Sequence, residues 1–200
     1  MTAERWNANL HAFDVLLRSV PPAAERGVDI GCGEGETARR LRARVPSVIG
    51  IDPDQPSIDE AHRYGDDIEY RCCALDDADL PPGSFDVVTS VAMLHHVDQQ
   101  EGLAQMAALL RPGGLLLVVG LARSRSPIDV AHDARDAIGV RWQARGRHVW
   151  ETTAPKLWPP PLTYAETRAA SLEALPGARF ARLPYFRYGL TWTAPRRQLG

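Results

Sequence analysis

The stretch Val28-Asp29-Ile30-Gly31-Cys32-Gly33-Glu34-Gly35 decides how this chain folds. A short apolar strand, predicted over residues 26–30, leads directly into three glycines at alternate positions, and a predicted helix over residues 37–44 follows. Glycine allows the backbone to turn sharply and leaves room for a ligand against the main chain. The order strand, glycine loop, helix therefore predicts an α/β fold with a ligand site at the carboxyl end of this strand.

The spacing of the glycines argues against two common classes of phosphate-binding loop. A dinucleotide fingerprint needs glycine at its first, third and sixth positions, which here are Gly31, Gly33 and Glu36. A P-loop needs Gly-Lys-Ser/Thr, which the loop lacks. Glu34 and Glu36 would repel a pyrophosphate. An acidic loop suits a cationic ligand without phosphate, such as S-adenosylmethionine with its sulfonium and ammonium groups.

Outward from the loop, predicted strands alternate with predicted helices. Such alternation favours right-handed crossovers and a parallel sheet covered on both faces, and the last two strands are predicted to close the sheet as a hairpin. The predicted fold is a three-layer α/β sandwich with a seven-stranded, mostly parallel sheet and an antiparallel last strand. The strands are predicted over 26–30, 47–51, 68–73, 85–91, 115–119, 178–183 and 187–193, and the helices over 4–19, 37–44, 56–64, 99–110, 128–138 and 163–175.

Local signals refine two of these boundaries. The run Pro112-Gly113-Gly114 is predicted to turn the chain before the fifth strand. Thr163 and Glu166 have the spacing of a capping box, which predicts that the last helix begins there.

Composition and charge are those of an ordinary globular protein. The apolar fraction is 44% and the net charge is −2, which argues against non-specific nucleic-acid binding. No apolar run approaches the ~20 residues of a membrane helix, and the polar start of the chain does not resemble a secretory signal. Cys32, Cys72 and Cys73 lack disulfide or zinc spacing, and the adjacent pair lies on a predicted core strand, where we expect it to be buried. We therefore expect a cytoplasmic protein without a metal site.

Basic residues are concentrated near the end of the chain. Residues 139–200 carry 10 of the 23 Lys and Arg side chains and 3 of the 25 Asp and Glu side chains. These arginines either lie along the surface with solvated heads or form a cationic wall that faces an anionic acceptor. Trp142, Trp150 and Trp158 fall in a stretch predicted to be irregular, residues 139–161, and either line an apolar pocket or pack a loop. The sequence leaves both pairs of alternatives open.

Four segments in register resemble the class I S-adenosylmethionine-dependent methyltransferases, in particular the broad family that includes quinone- and lipid-biosynthesis methyltransferases. The segments are VDIGCGEG at 28–35, IDPD at 51–54, ALDDADLPPGSFDVV at 74–88 and LLRPGGLLLVV at 109–119. The resemblance covers roughly residues 26–121. It implies the class I methyltransferase fold and S-adenosylmethionine as cofactor, with S-adenosylhomocysteine as product.

The resemblance also implies that residues 1–200 form one domain with three parts. Residues 1–25 would form a lid helix over the cofactor, although its apolar stripe is also that of a helix that simply packs on the core. Residues 26–121 would form the cofactor-binding core. Residues 122–200 would complete the sheet on the substrate side.

Cofactor contacts are carried over residue by residue from the matching motifs. Asp29 and the backbone of Gly31 and Gly33 would hold the methionine end, and Asp52 would accept the ribose hydroxyls, since a carboxylate can accept two donors. An alternative for Asp52 is a helix cap before Pro53. Asp76 would accept from the adenine amino group, with the Asp77 backbone against the ring. The full expected set is Asp29, Gly31, Cys32, Gly33, Asp52, Pro53, Asp76, Asp77 and Ser90.

Two histidines leave the fourth strand where the resemblance places the methyl group. His95 or His96 would act as a general base or an orienting donor, or would have only a structural role. Methyl transfer depends mainly on alignment and on exclusion of water, and needs a base only when the acceptor must lose a proton.

The predicted function is methyl transfer from S-adenosylmethionine to an O, N or C atom of a small-molecule acceptor, with anionic and aromatic compounds as candidates. Nucleic acid and membrane are not expected partners, and the oligomeric state is open. One alternative is a cofactor-binding relative that catalyses a cyclisation or decarboxylation, since fold and cofactor do not fix the reaction. Another is a non-catalytic binding subunit. An NAD oxidoreductase is disfavoured by Glu36 in place of the third glycine.

Overall fold

The computed structural model describes residues 7–143 and 158–196, with the side chains of residues 142 and 143 left out. Six α-helices and seven strands occur within these residues. The helices are α1 (Ala8–Leu17), α2 (Glu36–Arg42), α3 (Gln55–His62), α4 (Gln99–Leu109), α5 (Pro127–Gln143) and α6 (Tyr164–Ala174), and the strands are β1 (Arg26–Ile30), β2 (Ser47–Asp52), β3 (Glu69–Cys72), β4 (Phe85–Val91), β5 (Leu110–Gly120), β6 (Arg179–Leu183) and β7 (Arg187–Thr193).

All seven strands lie in one sheet with the order β3-β2-β1-β4-β5-β7-β6. Strands β1 to β5 pair in parallel, whereas β7 runs antiparallel to both β5 and β6. The order reverses at β1, because the chain first moves outward to β3 and then returns to β4. The predicted fold class, a mostly parallel seven-stranded sheet closed by a hairpin, is confirmed. The reversal at β1 opens a crevice above the carboxyl ends of β1 and β4, where such sheets bind ligands.

Side chains of the central strands pack alternately into two cores, one on each face of the sheet. Along β5, Leu115, Leu117 and Val119 belong to the core that covers one face together with α1, α2 and α3, while Leu116 and Val118 belong to the opposite core with α4. Burial on both faces explains the continuously apolar sequence of the strand.

The two largest differences from the predicted boundaries are at the start of β5 and at the end of α5. Strand β5 begins at Leu110 and runs through the Pro-Gly-Gly segment, which was expected to be a turn. Gly113 adopts a positive φ of 83° there, and the register shifts so that Leu110 pairs with Phe85 and Leu115 with Val87. Helix α5 extends to Gln143, past the predicted end at Ile138. Trp6, Trp150 and the side chain of Trp142 lie outside the described residues.

Within residues 7–143 and 158–196, every helix is too short or too polar to span a bilayer.

Helix α6 begins at the predicted capping box. Glu166 N–H donates to Thr163 Oγ1 (3.2 Å), and Thr163 N–H donates to Glu166 Oε2 (2.8 Å). The helix packs on α4, where the buried Gln99 side-chain amide donates to Thr167 O (2.8 Å) and to Ser171 Oγ (2.9 Å).

We predict that Thr163→Ala lowers the free energy of unfolding by about 1 kcal/mol, because the first turn of α6 loses its side-chain acceptor. Urea unfolding followed by circular dichroism measures this change. Thr163→Ser keeps the hydroxyl and should retain most of the stability. Equal losses in the two variants would contradict the assigned role of the cap.

Candidate functional site

A cavity of about 680 Å³ opens at the carboxyl ends of β1, β2 and β4. Its volume falls in the range of roughly 300–1,000 Å³ typical of small-molecule sites. The walls come from the glycine loop, the loops after β2, β3 and β4, the start of α1 and the first residue of β7. Lining residues include Asn9, Leu10, Gly31, Cys32, Gly33, Asp52, Pro53, Asp76, Met93, His95, His96, Leu121, Trp158 and Arg187.

The backbone N–H groups of the glycine loop are used inside the fold. Gly31 and Cys32 both donate to the carbonyl oxygen of Ile51, at 2.8 and 3.0 Å. Gly33 donates to Asp52 Oδ2 at 2.8 Å. A phosphate-binding loop works by presenting free N–H groups to its ligand. The N–H groups of Gly31, Cys32 and Gly33 are therefore already bonded, while the Gly31 carbonyl oxygen accepts no hydrogen bond from the described residues, so this part of the loop suits a cation better than a phosphate.

Gly31 and Gly33 are required for different reasons. Both have positive φ, 73° and 52°, a conformation that other residues adopt only with strain. A Cβ at Gly31 would come within 2.5 Å of Met93 Cγ, so this position has no room for a side chain. A Cβ at Gly33 would meet nothing within 4 Å, because it would project into open space at a residue that lines the cavity. A side chain at Gly33 would therefore take space from a ligand.

Asp52, at the end of β2, lines the cavity and keeps acceptor capacity. Its Oδ2 accepts from Gly33 N–H and its Oδ1 from Asp54 N–H (2.9 Å). A carboxylate has about four acceptor positions, so two remain for hydroxyl donors. Burial raises the pKa of Asp52 above its usual value. The N-cap of α3 is Asp54, which accepts from Ser57 N–H, so the alternative that Asp52 caps this helix is wrong.

Asp29 lies behind the glycine loop and does not line the cavity. It is fully buried, its Oδ1 accepts from Thr89 Oγ1 at 2.7 Å, and its Oδ2 has no hydrogen-bond partner. Burial, the largest cause, raises the pKa of Asp29 to about 7, and the neighbouring Asp52 charge adds to the increase.

Asp76, Asp77 and Ser90 were also expected to bind the cofactor, and of these three only Asp76 lines the cavity. Asp76 lines the cavity and accepts a hydrogen bond from the Gln105 side-chain amide. Asp77, which follows it, does not line the cavity. Ser90 is fully buried on β4, away from the cavity, and its hydroxyl has no partner.

The cysteine pair is not buried as expected. Cys72 is exposed at the end of β3, and Cys73 is half-buried and lines the cavity. The expectation failed because β3 is an edge strand that ends at Cys72, so the pair lies at its end and not in the core.

His95 and His96 both line the cavity but differ in surroundings. Their rings lie 4.2 Å apart, centroid to centroid. His96 is exposed and lies close enough to Asp52 to stabilise its charged form. His95 is half-buried, its Nδ1 has no partner, and burial together with the charges of His96 and Arg187 lowers its pKa to about 4. His95 is therefore neutral at neutral pH.

The acidic character predicted for the loop is reduced by neighbouring arginines. Glu36 forms ion pairs with Arg39 (3.2 Å) and Arg40 (3.5 Å), both on α2. The loop therefore favours a cation chiefly through its backbone, with Asp52 and Glu34 as further acids in the wall. Among the described residues, no group of three or more His, Cys, Asp or Glu side chains is arranged to hold a metal ion.

Sequence reasoning did not single out Arg187, which lines the cavity from the start of β7. The excess of basic residues after position 138 was the only signal, and it did not distinguish Arg187 from the other arginines of that region.

Comparisons with known proteins agree with this geometry. A family model described as a methyltransferase domain matches residues 28–118. An uncharacterized methyltransferase of Mycobacterium bovis is 38% identical over 195 residues, covering 95% of this chain and 98% of the relative. The ubiquinone biosynthesis O-methyltransferase of Bradyrhizobium diazoefficiens is 35% identical over 130 residues, covering 62% of this chain and only 51% of the relative.

Among solved structures, an S-adenosylmethionine-dependent methyltransferase from Mesorhizobium loti superposes with a TM-score of 0.60. It is 22% identical, and the match covers 91% of this chain and 97% of that one. At this identity the similarity establishes a shared fold.

We predict that the buried carboxyl of Asp29 makes stability depend on pH. Its native pKa is about 7 against 3.8 for an ordinary carboxyl. The native state therefore keeps a proton that the unfolded chain releases, and the free energy of unfolding falls as pH rises from about 4 to about 7. Asp29→Asn should remove this decline.

Urea unfolding at several pH values in that range gives the slope of the free energy of unfolding against pH, for the parent protein and for Asp29→Asn. The comparison isolates Asp29, because His95, whose lowered pKa acts in the opposite sense, is present in both proteins. Identical slopes would contradict the prediction.

Proposed function

The chain belongs to the class I S-adenosylmethionine-dependent methyltransferase family, and from that premise we propose that it methylates an O, N or C atom of a small molecule. The observation that supports the proposal most is the glycine loop: the N–H groups of Gly31, Cys32 and Gly33 are internally bonded, and Gly33 opens into the cavity. We further propose that residues 1–200 act as one unit in the cytoplasm. Two features support this: the single sheet spans both halves of the chain, and Cys32, Cys72 and Cys73 are free thiols.

The residues present fit S-adenosylmethionine. The free Gly31 carbonyl oxygen would accept from the ammonium of the methionine end. Asp52 would use its two remaining acceptor positions for the ribose hydroxyls, and Asp76, on the same wall, would accept from the adenine amino group. Cys32 and Pro53 supply neighbouring surface. Asp29, Asp77 and Ser90 lie outside the wall, and we propose that Asp29 supports the loop from behind.

Bound S-adenosylmethionine supplies an electrophilic methyl group. The protein must align the acceptor with that group and keep water away. A pKa of about 4 keeps His95 neutral at neutral pH but makes it a weak proton acceptor. We therefore assign it the orienting role, through a hydrogen bond to the acceptor, in preference to that of a general base. We assign His96 to the cofactor side, because it lies close to Asp52.

We predict that Gly33→Val weakens binding of S-adenosylhomocysteine by about 10-fold or more, equivalent to at least ~1.4 kcal/mol, because the side chain enters ligand space. Gly83→Val is a matched control: Gly83 also has a positive φ (66°) and no neighbour within 4 Å of an added Cβ, but it lies outside the cavity wall. Both variants carry similar backbone strain, so only Gly33→Val should change the affinity measured by calorimetry. Equal affinities in the two variants would show that the site is elsewhere.

Methyl transfer itself is tested with S-adenosylmethionine carrying a tritiated methyl group and a panel of small acids, phenols and amines. Label should appear in one acceptor class, and His95→Gln should lower turnover with little change in cofactor affinity if His95 assists the acceptor. Tight cofactor binding without transfer to any acceptor would instead favour a cyclisation, a decarboxylation or a binding role.

A further inference from the structure

The described wall of the cavity carries seven carboxylates but a single guanidinium. The acids are Glu34, Glu36, Asp52, Asp54, Asp76, Asp98 and Glu101, and the guanidinium belongs to Arg187. A guanidinium in a cavity whose other charged side chains are mostly carboxylates marks a place for a ligand group of opposite charge.

The fold holds the Arg187 side chain in place with neutral partners. Its Nε donates to Asn9 Oδ1 on α1 (2.5 Å), and its Nη1 donates to the carbonyl oxygens of Tyr185 (3.1 Å) and Phe186 (3.4 Å). The hairpin loop that supplies these carbonyls is itself fixed, since Phe186 N–H donates to the buried Asp136 at 2.9 Å. Three of the five guanidinium N–H groups are thereby used, and the two on Nη2 have no acceptor among the described residues.

No described carboxylate lies within ion-pair distance of Arg187. Arg182, on the preceding strand of the same hairpin, provides the contrast: it is 13% exposed and pairs with Asp129 (2.5 Å) and Asp133 (2.6 Å). Burial lowers the pKa of Arg187 to about 10, which still leaves it charged at neutral pH. A largely buried charge without a counter-ion is costly, and Arg187 lines a ligand cavity, so a bound anion would supply the missing partner.

His95 is the second polar group on this side of the cavity. It lies close enough to Arg187 for the guanidinium to lower its pKa, and its Nδ1 has no hydrogen-bond partner. A neutral imidazole carries one N–H, which can donate to an anionic oxygen. Leu10, Leu121 and Trp158 add apolar surface to the same cavity.

We propose that Arg187, together with His95, binds a carboxylate of the methyl acceptor, so that the acceptor is a small apolar carboxylate. This inference rests on the proposed function. A carboxylate is also present in the methionine part of the cofactor. We assign the site to the acceptor because the described neighbours of Arg187 are α1, the hairpin loop, His95 and Tyr164 on α6. The residues assigned to the cofactor lie instead in the glycine loop and after β2 and β3.

The test uses benzoate and its neutral isostere benzamide as probes, with the protein saturated by S-adenosylhomocysteine. We expect benzoate to bind more tightly than benzamide, and Arg187→Gln to weaken benzoate by about 10- to 100-fold, as expected for a lost charge-assisted hydrogen bond, while leaving benzamide unchanged. Arg187→Lys keeps the charge and should retain part of the preference. Calorimetry measures the affinities of both probes for each protein.

Two matched variants control for charge and for contact with α1. Arg179→Gln removes one positive charge at an exposed position on β6, outside the cavity wall, and should leave the preference for benzoate intact. Asn9→Ala removes the α1 contact of Arg187 without a change of charge and should weaken the preference for benzoate less than Arg187→Gln does, because the guanidinium stays in the cavity wall. In NMR titrations, benzoate should raise the pKa of His95 in the parent protein and not in Arg187→Gln.

Three results would overturn the inference. The first is no preference for benzoate over benzamide at concentrations up to about 10 mM, where a 1 mM site would be nearly saturated. The second is an unchanged preference in Arg187→Gln.

The third is loss of S-adenosylhomocysteine affinity in Arg187→Gln with unchanged affinity for methylthioadenosine, which lacks the amino acid; the arginine would then bind the cofactor carboxylate. Failure of the parent protein to bind S-adenosylhomocysteine would instead contradict the proposed function. Retained methylthioadenosine binding also shows that each variant is folded.

Discussion

Three hydrogen bonds between the glycine loop and the end of β2 determine what the cavity can bind. The N–H groups of Gly31 and Cys32 share the Ile51 carbonyl oxygen, and the N–H of Gly33 is taken by Asp52. These bonds hold the loop against the neighbouring strand and occupy three N–H groups that a phosphate-binding loop would present to its ligand. The same bonds orient the Asp52 carboxylate toward the loop while leaving acceptor positions for hydroxyl groups.

The charged groups of the cavity wall are not all acidic. Carboxylates and a backbone carbonyl surround the glycine loop and the end of β2, whereas Arg187 lies with α1 and the last hairpin. The adjacent histidines lie between these two regions: His96 is close to Asp52, and His95 is close to both His96 and Arg187. A cationic cofactor would bind near the carboxylates and an anionic acceptor near Arg187. Complementary charge would thus fix the position of one molecule relative to the other.

Local patterns predicted most of the fold. Alternating apolar strands and helices gave the element order, and the continuous apolar run in β5 indicated burial on both faces, because parallel strands are covered by helices on each side. The Thr163 and Glu166 pair marked the start of α6. The Pro-Gly-Gly segment was wrongly predicted as a turn. Gly113 N–H donates to the carbonyl oxygen of Ala194, just after β7, and Leu110 and Leu115 on either side pair with β4, so the strand continues despite the positive φ of Gly113.

The sequence by itself determined the order of elements and the class of ligand, because strand periodicity, glycine spacing and local acids depend on neighbours along the chain. Only the tertiary structure decided which expected residues reach the cavity, separating Asp52 and Asp76 on its wall from Asp29 and Ser90 in the interior. Only the tertiary structure identified Arg187, because its hydrogen-bond partner Asn9 lies 178 positions away in the sequence. Side-chain direction and burial depend on such long-range packing, which local patterns do not encode.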